Sequence, residues 1–240
     1  MERWDTLWPG GWTFCFGDGA FKPSTDSFLL GSFPPLRRSW RVCDLGAGTG
    51  LLGLLLLARE PSLAVTGLEL SPAACALAER TAAANGLTGR LVTLPCDLRE
   101  RQQLPQAGTF DLAVSNPPYF PAGGGKTALG SRGDARSELT CTMAQLCGAA
   151  SYLLRSGGQF CLVYRPERLA ELLETLRRYR LEPKVLRFVQ KNGVSAPSLV
   201  LLACRKDGRT GLTVPPPLLL QNADGTETEE LRRIYFKDKG

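Results

Sequence analysis

Short apolar runs alternate with helical stretches from Arg41 onward, and this alternation constrains the fold more than any other feature. Apolar runs that are each followed by a turn and a longer helical segment are typical of strands joined by crossover helices. Such units place parallel strands in one sheet with helices on both faces. We therefore predict an α/β fold with a doubly wound, mostly parallel, seven-stranded sheet of the Rossmann-like kind. The predicted strands cover residues 42–45, 64–68, 90–94, 110–114, 159–164, 184–189 and 198–205.

Polar side chains stand where the first four of these strands end. In an open parallel sheet, ligands bind in the crevice outside the carboxyl ends of the strands. Their shared placement is the main reason to predict a ligand site at this edge of the sheet. The four side chains that we expect to line it are Asp44, Glu69, Asp97 and Asn116.

A glycine-rich turn, Gly46-Ala47-Gly48-Thr49-Gly50, joins the first strand to a helix. Its glycines Gly46, Gly48 and Gly50 let the backbone turn sharply and approach a ligand without a Cβ in the way. The spacing G-x-G-x-G differs from the G-x-G-x-x-G that places a pyrophosphate at a helix N-terminus. Asp44, just before the turn, would repel phosphates but would suit an ammonium group.

Two further acidic side chains complete the predicted ligand-binding site and indicate which ligand it holds. Glu69 lies 19 residues after Gly50, where a carboxylate can accept both hydroxyls of a ribose. Asp97, after the third strand, can accept the exocyclic amine of an adenine. An amino acid joined to an adenosine satisfies all three carboxylates, so the pattern predicts S-adenosylmethionine as the cofactor. The alternatives are that Asp44 caps a helix and that Glu69 and Asp97 are ordinary surface acids.

The tetrapeptide Asn116-Pro117-Pro118-Tyr119 follows the fourth predicted strand. Two consecutive prolines fix φ and remove two backbone donors, so neither a helix nor a paired strand can continue there. The Asn116 carboxamide and the Pro117 carbonyl can then accept the two hydrogens of a planar NH2 group, while the Tyr119 ring stacks on its plane. We predict Asn116, Pro117, Pro118 and Tyr119 as catalytic residues; the alternative is a Pro-Pro turn with a local turn asparagine.

The positive charge of the chain is concentrated in its last third. Residues 155–240 carry 16 positive and 10 negative side chains, which accounts for the whole net charge of +6. A basic stretch with interleaved aromatics is typical of a surface that contacts phosphates. We predict Arg177, Arg178 and Arg180 as substrate-binding residues within this stretch. The alternative is a solvated helix face and strand edge.

Composition narrows the class of protein further. The longest apolar run has eight residues, which is short of the roughly 20 that span a bilayer, and no signal-like apolar segment follows the first residues. We therefore expect a cytoplasmic protein that does not bind membranes. Eight scattered cysteines without a C-x-x-C pair, in a chain without histidine, predict reduced thiols and no metal site.

The first 40 residues differ from the rest in being rich in Gly, Pro and aromatic side chains. Alternation over residues 12–16 predicts a short strand or a hairpin with its turn at residues 17–19. We expect residues 1–40 to form an extension packed on a core domain of residues 41–240.

These motifs resemble the class I S-adenosylmethionine-dependent methyltransferases that methylate amino groups and carry an Asn-Pro-Pro-Tyr tetrapeptide. Residues 22–30, 135–138 and 224–229 are similar to segments of bacterial tRNA adenine-N6 methyltransferases, in which the target adenine lies beside the anticodon of a valine tRNA. The resemblance implies tRNA as the partner and adenine N6 as the acceptor, with Thr25 as a further cofactor contact. It also makes Lys126, Arg132 and Arg136, in a glycine-rich loop, candidate substrate-binding residues.

Other functions fit parts of the same pattern. Protein glutamine N5-methyltransferases also present an Asn-Pro-Pro-Tyr motif to a planar NH2, but they do not need the basic last third. DNA adenine methyltransferases and guanine-N2 RNA methyltransferases remain alternatives, as does a catalytically silent cofactor-binding partner subunit. The residues do not distinguish a monomer from a homodimer.

Overall fold

The computed structural model of the protein describes residues 2–17, 24–117 and 141–238. The strands in chain order are β1 (Glu2–Thr6), β2 (Thr13–Gly17), β3 (Arg41–Leu45), β4 (Ala64–Glu69), β5 (Leu91–Pro95), β6 (Phe110–Ser115), β7 (Leu154–Tyr164), β8 (Leu181–Gln190), β9 (Pro197–Lys206) and β10 (Leu218–Leu219). The helices are α1 (Thr25–Ser32), α2 (Leu51–Arg59), α3 (Pro72–Ala84), α4 (Met143–Leu153), α5 (Leu169–Arg178) and α6 (Glu229–Ile234), with a short 3-10 helix, Pro166–Arg168, before α5.

The central sheet has the spatial order β10-β8-β9-β7-β6-β3-β4-β5. All neighbouring strands are parallel except β9, which runs antiparallel to both β7 and β8. Each of the seven predicted strands is present, so the doubly wound, mostly parallel sheet is confirmed. The prediction missed an eighth strand, β10, because its two residues pair with only the end of β8 and are too short to produce an alternating pattern.

Helices cover the two faces of the sheet and bury two separate cores. Helices α1, α2, α3 and α6 lie over one face, where the buried side chains include the run Leu54–Leu57 of α2. Helices α4 and α5 cover the other face, with Leu146, Leu172 and Leu176 among its buried side chains. Six of the nine residues of α2 are leucine, and its first seven residues are all buried, as expected for a helix packed between the sheet and α1.

The short strand predicted over residues 12–16 is present as β2, the second strand of an N-terminal hairpin. Strands β1 and β2 pair antiparallel, and the turn lies between them, where Gly10 has a φ of +69°. The turn predicted at residues 17–19 falls mostly outside the described residues. The pairing of β2 with the preceding β1 was not predicted. The hairpin packs on α3, where the Cys15 amide donates to Thr81 Oγ1 at 3.0 Å and the Thr13 amide donates to Asn85 Oδ1 at 2.9 Å.

All eight cysteines are free thiols, and seven of them are buried. Burial raises the pKa of several of these thiols, for example Cys147 to about 12, so they remain protonated at neutral pH. Among residues 2–17, 24–117 and 141–238, no helix combines the length and the apolar character needed to cross a bilayer.

Candidate active site

Four neighbouring strands bring the predicted ligand-binding side chains to one edge of the sheet. Strands β5, β4, β3 and β6 are adjacent in this order, and the carboxyl end of each carries one of these side chains. Glu69 is the last residue of β4, and Asn116 directly follows β6. The grouping that the sequence predicted is therefore the grouping that the fold produces; the side chains in spatial order are Asp97, Glu69, Asp44 and Asn116.

Asp44 is a buried carboxylate with an unsatisfied oxygen. Its side chain lies in β3 and is only 2% exposed. The Gly53 backbone amide, in the first turn of α2, hydrogen-bonds to the carboxylate. The other oxygen, Oδ2, has no hydrogen-bond partner among the described residues. Burial, and secondarily the charge of Glu69, raises the pKa of Asp44 from 3.8 to about 7.

The glycine-rich turn bends tightly around Glu69. Gly46, Gly48 and Gly50 have φ values of +75°, +55° and +78°, a region that residues with a Cβ rarely adopt. The Gly48 amide donates to Glu69 Oε2 at 2.8 Å, and the Ser71 amide donates to Oε1 at 2.9 Å. These bonds fix the carboxylate between the turn and α3, and each oxygen still has a lone pair for a ligand hydroxyl.

Asp97 is engaged by an arginine that the sequence analysis did not single out. Arg99 Nε and Nη2 donate to the two carboxylate oxygens of Asp97 at 2.9 and 2.6 Å. This pairing lowers the pKa of Asp97, with the hydrogen bonds from Arg99 as the main cause. The side chain of Asp97 remains 15% exposed. An adenine amine would therefore share this carboxylate with Arg99.

Asn116 is oriented by a residue of α1. Asn116 Nδ2 donates to Ser27 Oγ at 3.1 Å, across 89 residues of sequence. Thr25, predicted as a cofactor contact, lies two residues away in the first turn of the same helix and is exposed. Its Oγ1 accepts a hydrogen bond from Tyr235 Oη at 3.1 Å. Pro117 is buried directly behind Asn116.

The predicted substrate-binding residues are not all brought to this edge. Arg177, Arg178 and Arg180 lie at the connection from α5 to β8, which is at the opposite edge, because β8 runs parallel to β7 and begins there. The sheet register puts this connection on the order of 20 Å from Asn116. The remaining predicted residues, Pro118, Tyr119, Lys126, Arg132 and Arg136, lie outside the described residues.

Comparison with known proteins identifies the family. The sequence model of the family described as "Methyltransferase small domain" matches residues 15–180. The chain belongs to the methyltransferase small domain family. The matched part of the methyltransferase extends from β2 to the start of β8 and so contains all four strand ends of the candidate site.

Curated relatives are similar over most of the chain. The methyltransferase is 33% identical to a tRNA1(Val) (adenine(37)-N6)-methyltransferase of Dickeya chrysanthemi (strain Ech1591), over 80% of this chain and 75% of the relative. It is 33% identical to the protein of the same name from Serratia proteamaculans (strain 568), over 90% of this chain and 82% of the relative.

A solved structure shares the fold. The crystal structure of a predicted O-methyltransferase from Agrobacterium tumefaciens superposes with a TM-score of 0.74 at 23% identity, covering 88% of this chain and 96% of that chain. The resemblance to class I methyltransferases found in the sequence is therefore confirmed, and so is the fold class.

Proposed function

We propose that this protein is an S-adenosylmethionine-dependent methyltransferase that methylates N6 of an adenine in tRNA, in the anticodon loop of a valine tRNA. The observation that carries the proposal is the grouping of three carboxylates and Asn116 at adjacent strand ends. The curated relatives named above support the choice of acceptor, because their names specify N6 of adenine 37 in tRNA1(Val).

The carboxylates fit the cofactor in charge and in hydrogen-bonding capacity. Asp44 Oδ2 is buried without a partner among the described residues, which is the acceptor that an ammonium group requires. Glu69 would accept the ribose hydroxyls and Asp97 the adenine amine. The backbone at Gly46 is open, because a Cβ built there would meet nothing within 4 Å. Thr25 and the turn at Gly48 and Gly50 would complete this pocket.

S-adenosylmethionine supplies a methyl group bonded to a sulfonium, which is the electrophile. The chain's own task is to present an amine, and adenine N6 is a weak nucleophile because its lone pair is delocalised into the ring. Acceptors at Asn116 and the Pro117 carbonyl would hold the two hydrogens and favour a tetrahedral nitrogen. We assign Pro118 and Tyr119 to the same acceptor site, with the Tyr119 ring stacked on the base. The methylated nitrogen would then lose a proton to water, so no histidine is needed.

The target base must leave its stack to reach Asn116, and a single-stranded loop makes this least costly. Two exposed basic side chains that directly follow strands lie at the same edge as Asn116 within the described part of the chain. Arg165 directly follows β7, and Lys191 directly follows β8 and is exposed. We propose these two residues, together with Lys126, Arg132 and Arg136, as contacts to RNA that approaches the edge of the sheet carrying Asn116. Arg177, Arg178 and Arg180 would contact only RNA that extends to the opposite edge.

The function is tested by incubating the protein with labelled S-adenosylmethionine and, in parallel, total tRNA, total DNA and a peptide release factor. Label in tRNA that maps to N6 of one adenine is the expected result. Label in the release factor would indicate glutamine N5-methylation, and label in DNA would indicate a DNA adenine methyltransferase. If the protein binds the cofactor by calorimetry but labels none of the three, the proposed function is wrong.

The role of Asn116 is tested in the same assay. Asn116→Ala should abolish methyl transfer, because it removes one of the two acceptors for the amine, while cofactor affinity by calorimetry stays close to that of the wild type. Methyl transfer by the variant at the wild-type rate would contradict the assignment.

A further inference from the structure

Asn116 works as an acceptor only in one of its two orientations. A carboxamide has one oxygen, which accepts, and one NH2 group, which donates. If Asn116 presents Oδ1 to the target amine, it accepts a hydrogen from it. If it presents Nδ2, two donors face each other and the amine is repelled. The strand that carries Asn116 fixes the position of its Cα but not the rotation of the terminal amide.

We propose that Ser27 is a positioning residue that fixes the orientation of the Asn116 carboxamide, and so selects an amino group as the methyl acceptor. This inference rests on the proposed function. Ser27 Oγ accepts from Asn116 Nδ2 at 3.1 Å, which directs Nδ2 toward α1. With Nδ2 bonded to Ser27, Oδ1 is the carboxamide atom that can accept a hydrogen from the substrate amine.

The surroundings of Ser27 favour its role as an acceptor. Ser24 Oγ lies 3.5 Å from Ser27 Oγ. The Ser27 hydroxyl proton can point to Ser24, which leaves a lone pair for the Asn116 amide. Ser24 is the N-cap residue of α1, and its carbonyl accepts from the Ser27 amide at 3.1 Å. Donation from Asn116 to Ser27 and from Ser27 to Ser24 satisfies both contacts at once.

Helix α1 is held firmly enough to act as a fixed support. Its residues Leu29 and Leu30 are fully buried against the core. The Phe28 ring stacks on the Tyr235 ring with centroids 4.6 Å apart. At the other end of the helix, Arg59 Nη1 donates to the Gly31 carbonyl at 2.6 Å, which ties α1 to α2. The position of the Ser27 hydroxyl is thus set by the core and not by the substrate.

The first test compares Ser27→Ala with Ser27→Thr, which keeps the hydroxyl, and with Ser32→Ala as the matched control. Ser32 lies on the same helix, but its hydroxyl donates to the Leu29 carbonyl at 2.7 Å and does not reach Asn116. Ser27→Ala should lower kcat about tenfold, as expected for the loss of one hydrogen bond, with KM for the substrate and cofactor affinity unchanged. Ser27→Thr should restore most of kcat, and Ser32→Ala should behave as the wild type.

Other outcomes overturn the proposal. A wild-type kcat in Ser27→Ala, or an equal loss in Ser32→Ala, would show that the hydroxyl does not orient Asn116. A loss of kcat accompanied by an equal loss of cofactor affinity would assign Ser27 to the cofactor pocket and not to Asn116.

A second test needs no activity and separates this inference from the proposed function. The side-chain amide of Asn116 is assigned in the 15N-labelled protein by the signal that disappears in Asn116→Ala. One of its two hydrogens should exchange slowly with solvent in the wild type and in Ser27→Thr, and rapidly in Ser27→Ala. Equal exchange in all three proteins would refute the positioning role, whereas inactivity of the wild type on tRNA would refute only the proposed function.

Discussion

Replacing Asp44 by Asn separates the energetic cost of a buried charge from its use in binding. Asp44 is 2% exposed, and its Oδ2 lacks a partner among the described residues. Burial, followed by the charge of Glu69, raises its pKa from 3.8 to about 7, and the hydrogen bond from the Gly53 amide only partly opposes this shift. Burial therefore disfavours ionisation of the Asp44 carboxyl group in the ligand-free protein.

The sign of the effect follows from proton linkage. Between pH 3.8 and about 7 the folded protein holds a proton on Asp44 that the unfolded chain has released, so the free energy of unfolding falls as pH rises through this window. The rise in the pKa of Asp44 from 3.8 to about 7 corresponds to about 4 kcal/mol of stability, which is lost above pH 7. Asn cannot ionise and still accepts from the Gly53 amide, but its buried NH2 group costs about 1–3 kcal/mol.

Asp44→Asn should therefore be more stable than the wild type by about 1–3 kcal/mol at about pH 8.5, and less stable by a similar amount near pH 4. Urea unfolding of both ligand-free proteins at several pH values measures this difference. All other titrating groups are shared, so the difference isolates Asp44. A difference that stays constant across the window would refute the reasoning. Calorimetry should show that the stabilised variant has lost affinity for S-adenosylmethionine.

Three further predictions follow from particular contacts. Gly50→Ala should cost about 1–2 kcal/mol of stability, because the φ of Gly50 is +78° and the new Cβ would lie 3.1 Å from the Ala78 Cβ. The control is Gly89→Ala, where a Cβ meets nothing within 4 Å. Equal urea midpoints for the two variants would contradict the prediction. Tyr235→Ala should lower stability by about 1–2 kcal/mol by removing the stack on Phe28, and Tyr235→Phe by less than about 1 kcal/mol, as measured by urea unfolding. The triple change Arg177→Ala, Arg178→Ala and Arg180→Ala should weaken tRNA binding less than Lys191→Ala does, as measured by filter binding at two salt concentrations. The reverse order would place the RNA at the edge where α5 connects to β8.

The fold and the grouping of the acidic residues could be predicted because both depend on local patterns. A parallel sheet follows from strand and helix periodicity, and a residue at the end of a strand in sequence is at the carboxyl edge in space. Asp44, Glu69 and Asn116 reach one site for this reason alone. The pairing of β2 with β1 could not be predicted, because β1 (Glu2–Thr6) is exposed along its length and has no alternating apolar pattern.

Contacts between distant segments left no pattern in the sequence. Ser27 and Asn116 are 89 residues apart, and a serine two residues after Thr25 has nothing that marks it as a partner of the tetrapeptide. The sequence likewise does not mark Tyr235, which directly follows α6, as a residue that contacts α1. The engagement of Asp97 by Arg99 could have been suspected from their i,i+2 spacing after a strand, but only the structure shows both carboxylate oxygens bound.

The basic last third shows that charges close together in sequence can lie at opposite edges of the sheet. Arg177, Arg178 and Arg180 are close in sequence and exposed, but each forms an ion pair, with Glu182, Glu174 and Asp207 respectively. Their helix leaves the carboxyl edge after β7 and ends at the other edge, which a count of charges cannot reveal. A phosphate that contacts them must first compete with a carboxylate that is already paired. Exposed Lys191 forms no ion pair within the described ranges and lies at the same edge as Asn116. We therefore expect the position of a charge relative to Asn116, and not the number of charges along the chain, to decide which side chains guide the proposed RNA substrate into the site.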